Sequence, residues 1–228
     1  TSNLSAPEIA DPTDHFNTVL YTGNGSVISV TGAGFQPDLV MQKYRSTGGA
    51  YNLNGQAADA VRGVNRYSYI DQNSAEQDRT SQNDALRSFD SDGFTYGDNA
   101  MNWNTYTYVS WMWKGDNVAG GTLNQDGDID SYVNVNTTAG FSIVKYAGSG
   151  TGGDTVGHGL SSAPELIIVK NRDAADAWQV GSSKGIDFTD YLVLNTNAAA
   201  VDNVDRWNDA APSASVFTIG DGVEVNTN

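Results

Sequence analysis

The chain contains one sequence pattern twice, and this repeat constrains its fold more than any other feature. Residues 15–25 read HFNTVLYTGNG, and residues 140–150 read GFSIVKYAGSG. In each stretch a Phe, a short run that includes β-branched residues and a Tyr lead into a Gly-x-Gly turn. Self-similarity at a long, nearly constant offset predicts two units that fold by the same rules.

The similarity continues through both halves of the chain. GFQPDLVMQKYR matches GLSSAPELIIVKNR, and NDALRSFDSDGFTYGD matches NDAAPSASVFTIGD, with an offset that drifts between about 122 and 127 residues. The matched positions are Pro37 with Pro164, Leu39 with Leu166, Lys43 with Lys170, Arg45 with Arg172, Tyr69 with Tyr191, Phe94 with Phe217, and Asp98 with Asp221. Apolar, turn and charged positions agree in order, so we infer a tandem duplication with small loop insertions.

Each unit is predicted to be β. The runs FNTVLY and FSIVKY are rich in β-branched and aromatic residues and are bounded by turn residues. ELIIVK is continuously apolar, which favours a strand buried on both faces. TYTYVSWMWK, residues 105–114, alternates bulky side chains on both faces and is expected to lie centrally in a sheet. One short helix is predicted within residues 74–89.

The strand spacing predicts an all-β fold of two tandem antiparallel β-sandwich modules of the concanavalin or jelly-roll type. We expect an extended N-terminal arm (1–14), a first module (15–114), a connector (115–139) and a second module (140–228). The second module reaches GDGVEVNTN without a counterpart of TYTYVSWMWK, so it lacks its closing strand. Either the chain is cut short at that point, or a neighbouring chain or the arm fills the edge beside Phe217–Ile219.

Composition narrows the classes of function. The net charge of −15, from 27 acidic and 12 basic residues, disfavours nucleic acid and anionic membrane surfaces as partners. The chain has no cysteine, which excludes disulfides and thiolate metal sites, and its two histidines make a zinc site improbable. No apolar run approaches the ~20 residues of a membrane span, and no signal-peptide pattern is apparent. We expect a soluble protein without membrane insertion.

Two short motifs imitate enzyme signatures. GSGTGG, residues 148–153, satisfies the dinucleotide-binding pattern, but turn and strand residues follow it where a helix is required, so a hairpin turn is the better interpretation. GSSKG, residues 181–185, resembles a nucleophile elbow around Ser183, but a strand is again predicted after it. Neither predicts a catalytic or cofactor-binding residue, and we expect a protein that is not an enzyme and has no cofactor.

The acidic stretch NQDGDID, residues 124–130, resembles a calcium loop, with oxygen-bearing side chains at alternate positions. An EF-hand loop needs Gly at its sixth and Glu at its twelfth position, and this chain has Ile129 and Val135 there. A solvated linker turn is the favoured interpretation, calcium is the alternative, and no metal ligand is assigned. Trp178 and Trp207 are candidates either for stacking on sugar rings or for core positions.

The matched motifs, above all NTTAGFSIVKYAGSGTGGDTVGHGLSSAPELIIVKNR together with SFDSDGF and YVSWMWK, resemble a repeated module of virion proteins in marine tailed phages, including phages of cyanobacteria. The resemblance covers residues 12–228 and implies concanavalin-type sandwiches in tail fibres or other surface appendages. It implies no catalytic residues. Where that family commonly has Trp-Ile-Lys-Asn-Arg, the first module has MQKYR and the second has IVKNR. If these side chains form a contact between modules, the two modules will differ in their neighbours.

The resemblance implies a non-enzymatic protein of the virion surface, either a tail fibre or appendage, with a capsid decoration protein as the alternative. Other virion proteins and further chains of the same kind, as a homo-oligomer, are the expected partners. Host-surface glycans are candidate ligands for an exposed loop rim. A lectin or carbohydrate-active enzyme on the same fold is the alternative from another class, and it requires a concave face with paired carboxylates beside an aromatic platform.

Overall fold

A computed structural model describes residues 9–45 and 54–228 of the chain. Nearly all of its regular structure is β, in antiparallel sheets, which confirms the all-β sandwich prediction. Of the expected arm, residues 1–8 lie outside the described residues, and a 3₁₀ turn at Pro12–Asp14 leads into the first strand. No helix in the described ranges has the length and hydrophobicity of a membrane span.

The described residues of the first module form nine strands in two sheets. They are β1 (Phe16–Thr22), β2 (Ile28–Thr31), β3 (Leu39–Tyr44), β4 (Gln56–Asp59), β5 (Arg66–Tyr69), β6 (Gln77–Asp78), β7 (Leu86–Asp90), β8 (Gly93–Tyr96) and β9 (Thr107–Trp113). The larger sheet has the order β1-β9-β3-β4-β5-β6, and the smaller one has the order β2-β8-β7. A 3₁₀ turn at Ala100–Asn102 precedes β9.

Strand β9 lies between β1 and β3, which confirms its predicted central position. Its inner face presents Tyr108, Ser110 and Met112, which are all fully buried. The two sheets pack face to face, because alternate residues of each strand point into the space between them. The core of the module joins residues from both sheets, among them Val30, Phe94, Tyr96, Val40, Tyr67 and Tyr108.

The connector and the second module form nine further strands and one short helix. They are β10 (Thr122–Asn124), β11 (Ser131–Asn136), β12 (Phe141–Tyr146), β13 (Thr155–Gly157), β14 (Leu166–Val169), β15 (Gln179–Ser182), β16 (Asp190–Val193), β17 (Val201–Asp202), β18 (Val216–Thr218) and helix α1 (Val204–Trp207). β10 and β11 lie within the expected connector, and β11 pairs along the whole of β12. The connector therefore extends the sheet of the second module.

The second module repeats the strand pairings of the first, except those of β9 and the pairing of β7 with β8. The sheet β14-β15-β16-β17 corresponds to β3-β4-β5-β6, the pair β13-β18 corresponds to β2-β8, and β12 corresponds to β1. Residues Val156, Ile167, Phe188, Trp207, Phe217 and Ile219 form the matching core. Among the described residues no strand stands in the position of β9, as the sequence predicts for the closing strand.

Strand registers test the residue matches. Phe94 faces Val30 and Phe217 faces Val156 across equivalent pairs, which confirms that match. The match of Tyr69 with Tyr191 is wrong by two residues. Gln56 and Gln179 occupy equivalent places, and Gln56 faces Tyr69 whereas Gln179 faces Val193. Tyr67 is therefore the counterpart of Tyr191.

Two further expectations for the second module need correction. The closing strand of the first module pairs with β1 and β3, so the open place lies between β12 and β14 rather than beside Phe217–Ile219. β14 was predicted to be buried on both faces, but Leu166 is 57% exposed and Ile168 is 38% exposed. Both corrections have the same physical reason. Without a counterpart of β9, one edge and much of the outer face of β14 lack a neighbour.

The helix predicted within residues 74–89 is wrong. That segment contains β6, a series of turns and all of β7 except its last residue. The carboxylate of Asp78 accepts a hydrogen bond from the backbone N–H of Thr80 at 2.9 Å, which favours a tight turn directly after β6. A short helix forms in the second module instead, where Asn203 caps α1 and fully buried Trp207 anchors it in the core.

Candidate functional site: the module junction and an open strand position

The glycine-rich stretch 148–153 folds around the buried side chain of Asn226. The Oδ1 atom of Asn226 accepts hydrogen bonds from the backbone N–H groups of Ser149 and Gly150, at 2.8 and 3.0 Å. Its Nδ2 atom donates to two backbone carbonyls, at 2.8 Å each. The loop then enters β13, whereas a dinucleotide site needs a helix there. The N–H groups that would hold a phosphate are occupied by this internal amide.

Asn102 holds the equivalent loop of the first module with the same kind of hydrogen bonds. We call each of these two asparagines, with its hydrogen bonds to the loop, an asparagine lock. Its Oδ1 atom accepts from the backbone N–H of Asn24 at 2.9 Å, and its Nδ2 atom donates to the carbonyls of Gly97, at 2.6 Å, and Ser26. Asn102 and Asn226 are almost fully buried. Sequence reasoning missed both side chains, although each follows a buried apolar residue in a matched stretch, MN and VN. Their shared geometry supports the inferred duplication.

The GSSKG stretch forms an exposed turn between β15 and β16. The backbone N–H of Ser183 donates to the carbonyl of Glu165 at 3.0 Å, and Lys184 pairs with the same residue's carboxylate at 2.8 Å. A strand follows where a nucleophile elbow requires a helix. His158 is buried and its Nε2 atom lies 3.2 Å from the backbone carbonyl of Ser213, so its imidazole is engaged elsewhere.

The acidic side chains of residues 124–130 engage separate partners. The carboxylate of Asp128 accepts from the N–H and hydroxyl of Thr155, at 3.1 and 2.7 Å, and Asp126 accepts from Asn124 at 2.9 Å. Asp130 accepts from Gln125 at 3.2 Å. Within residues 9–45 and 54–228, no group of three His, Asp or Glu side chains is arranged to hold a metal ion. These side chains stabilise turns.

The two tryptophans considered as sugar platforms are both inside the molecule. Trp207 is fully buried and packs against Phe188 at a ring-centroid distance of 5.9 Å. Trp178 is 8% exposed, and its Nε1 atom donates to the backbone carbonyl of Tyr69, in the other module, at 2.7 Å. Neither ring has a free face wide enough to stack on a sugar. Trp178 instead belongs to the junction between the modules.

A buried carboxylate joins the two modules. Glu76 of the first module accepts from Arg62 of the same module at 3.0 Å and from Arg172 of the second module at 2.7 Å. Its side chain is 10% exposed. Burial alone would raise the pKa of Glu76, but the hydrogen bonds and charges of Arg172 and Arg62 outweigh burial and lower that pKa. Glu76 is therefore ionised and shared between two guanidinium groups.

The segments MQKYR and IVKNR, which differ between the two modules, also differ in whether they take part in this contact. Arg172 of IVKNR binds Glu76 through its side chain, and its backbone carbonyl accepts from the N–H of Glu76 at 2.8 Å. Its counterpart Arg45 is exposed. The two equivalent arginines thus have different neighbours, as expected if this segment forms a contact between modules.

A second buried contact joins the first module to the connector. Asp38, fully buried, accepts from the side chain of Asn134 at 3.1 Å and from the backbone N–H of Gly115 at 2.8 Å. Burial raises the pKa of Asp38 above its usual value, although these hydrogen bonds oppose the shift. Nearby, the rings of Trp113 and Phe141 stack at 6.2 Å. Contacts at separate places therefore hold the two modules in one orientation.

The open position between β12 and β14 is the second candidate site. β12 is the last strand of the sheet β10-β11-β12, and β14 is the first strand of the sheet β14-β15-β16-β17. Their facing edges carry backbone donors and acceptors without a strand partner among the described residues. A cavity of about 330 Å³ lies at one end of β12, where it borders β11 and Arg172 beyond β14. Its lining residues are Asp130, Tyr132, Lys145, Tyr146, Ala147 and Arg172.

Another cavity, of about 420 Å³, lies between the first module and the connector. Its lining is mainly apolar, with Val64, Phe89 and Ala119 among its residues, and it includes the charged side chain of Arg87. No cluster of titratable groups converges on it from the described residues. It therefore offers less chemistry than the open strand position.

Comparison with known proteins gives a family. No curated protein matches the chain, and no solved structure matches it. The model of one family, a domain of unknown function (DUF7483), matches residues 11–228, and thus both modules and the connector. The chain belongs to the DUF7483 family.

Proposed function

We propose that the chain is a non-enzymatic architectural module of a virion surface, in a tail fibre or another appendage. The observation that carries the proposal is the buried junction, in which Glu76 binds Arg172 and the indole of Trp178 binds the carbonyl of Tyr69. A junction of this kind fixes the angle between two sandwiches, and an elongated appendage needs fixed angles between successive domains. The resemblance to repeated phage modules supports the same role.

The hydrogen bonds made by the motifs that resemble enzyme or metal sites also support this proposal. The glycine loop around Asn226, the acidic turn around Asp128 and the serine turn at Ser183 each use their polar groups to hold the local backbone. An enzyme keeps such groups directed at a substrate. The acidic surface, with a net charge of −15, suits a protein of the particle exterior that avoids nucleic acid.

The expected partners follow from this role. Other virion proteins anchor the module, further chains of the same kind assemble with it as a homo-oligomer, and host-surface glycans contact its loops. Light scattering of the purified chain tests the assembly, and a glycan array tests the recognition. A glycan signal that survives substitution of exposed loop residues would count against recognition by those loops.

The direct test of the role is location. Antibodies raised against the recombinant chain should label tail fibres or appendages of purified phage particles in immunogold electron microscopy. Label spread over the capsid would assign the chain to capsid decoration instead. If purified particles contain no trace of the chain by mass spectrometry, the proposal is wrong.

A further inference from the structure

The first module has a continuous sheet with a strand between the equivalents of β12 and β14. In that module β9 hydrogen-bonds to β1 on one side and to β3 on the other, over seven and six residue pairs. The equivalent strands β12 and β14 are end strands of two separate sheets. The second module therefore has two facing edges where the first has one continuous sheet.

The backbone groups that face the gap can be identified from the pairing. In β3 the N–H of Arg45, which continues the strand, donates to Thr107 at 2.8 Å, so alternate residues back to Met41 and Leu39 direct their N–H groups at β9. Directly before β14, the carbonyl of Glu165 accepts from the N–H of Ser183, which follows β15. Backbone groups of alternate residues point to opposite edges of a strand, so Leu166 and Ile168 direct their N–H groups away from β15. These two N–H groups face the open position.

The core-facing side chains of β12 match those of β1 in the first module. Val144 and Tyr146 of β12 pack against the core as Val19 and Tyr21 of β1 do. The hydroxyl of Tyr146 donates to the carbonyl of Val225 at 2.7 Å, and that of Tyr21 donates to the carbonyl of Met101 at 2.6 Å. The core-facing side of β12 thus makes the contacts that β1 makes beside β9.

The two modules differ in the space between these flanking strands, which β9 fills in the first module. In the first module the ring of Tyr108 stacks on Tyr21 at 5.1 Å, and Gln42 of β3 is 1% exposed. At the place equivalent to Gln42, Val169 of β14 is half-buried, and Leu166 and Ile168 are exposed. Apolar side chains and unpaired N–H groups on two parallel edges make a site for one more strand.

We propose that the gap between β12 and β14 binds a single β-strand of the β9 type, antiparallel to both flanks. Its inward positions would carry an aromatic ring, a small residue and a long apolar side chain, as Tyr108, Ser110 and Met112 do in the first module. Backbone hydrogen bonds on both edges supply affinity, and the inward side chains supply specificity. This inference does not depend on the proposed location in a virion.

The two asparagine locks show where such a strand enters. A Cβ atom on Gly25 would lie 3.3 Å from the Cβ of Asn104, and one on Gly150 would lie 3.5 Å from that of Asn228. Asn228 therefore stands where Asn104 stands, three residues before β9 begins. A strand attached at this residue needs no linker, and attachment raises its effective concentration at the gap.

The test attaches the ten residues TYTYVSWMWK, the sequence of residues 105–114, after Asn228 of the full chain. The control carries the same ten residues in scrambled order. Hydrogen exchange of the N–H groups of Leu166 and Ile168 should slow by more than about tenfold in the chain with the matched extension. It should stay unchanged in the chain with the scrambled extension. The urea midpoint should rise with the matched strand only.

A second variant separates strand binding from nonspecific effects. Ile168→Pro removes an N–H that faces the gap, and it leaves the N–H groups of Ile167 and Val169 that pair with β15. It should abolish the added protection of Leu166 in the extended chain, while Val169 stays protected in the unextended chain.

Three results would overturn the proposal. Equal protection in the matched and scrambled extensions would leave no role for the β9 pattern. Protection of Leu166 and Ile168 in the unextended chain at every concentration would mean that the gap is closed by the chain itself. Protection that rises with the concentration of the unextended chain would assign the gap to a second copy.

Discussion

The two modules share the loops held by Asn102 and Asn226 and differ in how their sheets are closed. Asn102 and Asn226 hold equivalent loops with equivalent hydrogen bonds, and Phe94 and Phe217 pack at equivalent places. Yet β9 joins β1 to β3 in the first module, and β12 and β14 stay separate in the second. The second module thus has its asparagine lock and its core while the facing edges of β12 and β14 have no strand between them.

The largest effect should come from the locks that both modules share. Asn102→Ala and Asn226→Ala each remove three or more buried or partly buried hydrogen bonds to backbone groups, so each should lower the free energy of unfolding by about 3 kcal/mol. Urea denaturation of the two variants measures this. Asn104→Ala and Asn228→Ala, at exposed neighbouring positions, are the matched controls and should change it by less than about 0.5 kcal/mol. A large loss of unfolding free energy in only one of the two variants would contradict the structural equivalence of Asn102 and Asn226.

The junction should give the next effect. Glu76→Gln keeps the shape of the side chain but removes the charge shared by Arg62 and Arg172, and should cost about 2 kcal/mol. Thermal unfolding should then separate into two transitions, because the modules lose part of their coupling. Glu165→Gln, at an exposed pair with Lys184, is the control and should leave one transition and nearly full stability.

The same substitution has a pH signature. The pKa of Glu76 is lowered from its ordinary value of 4.5, so its stabilising contribution is complete above pH 4.5 and is lost as the pH falls through the lowered pKa. The difference in unfolding free energy between the wild-type chain and Glu76→Gln should therefore narrow on acidification. A difference that widens below pH 4.5 would contradict the assignment of Glu76 as the ionised bridge.

A smaller effect is expected at Trp178. Trp178→Phe keeps an aromatic ring in the junction and removes the hydrogen bond to the carbonyl of Tyr69, so it should cost about 1 kcal/mol. Denaturation curves measured by circular dichroism give the value. A loss above about 3 kcal/mol would mean that Trp178 belongs to the core of its own module.

The fold could be predicted from the sequence where the two halves constrain each other. Phe94 and Phe217 are each followed by a Thr and a Gly-Asp turn, so their match fixes the register of β8 and β18. Tyr69 and Tyr191 were misaligned, because RYSYI offers two tyrosines in one strand. The exposed face of β14 was missed, because a run such as ELIIVK is typical of a strand with neighbours on both sides.

The candidate site was less accessible to sequence reasoning. The bridge from Glu76 to Arg172 depends on the angle between the modules, which neither local pattern encodes. Asn102 and Asn226 look like surface asparagines until the loops close over them. The missing counterpart of β9 was predictable, because an absent repeat of TYTYVSWMWK is visible in the sequence, but its place in the sheet required the strand order.

Residue-resolved hydrogen exchange of the unmodified chain tests the central claim most directly. Leu39 and Met41 in β3 should exchange slowly because their N–H groups bond to β9, and their counterparts Leu166 and Ile168 in β14 should exchange at least about a hundredfold faster. Slow exchange at all four positions in the unmodified chain would contradict the account, because it would show that both modules have a closed sheet.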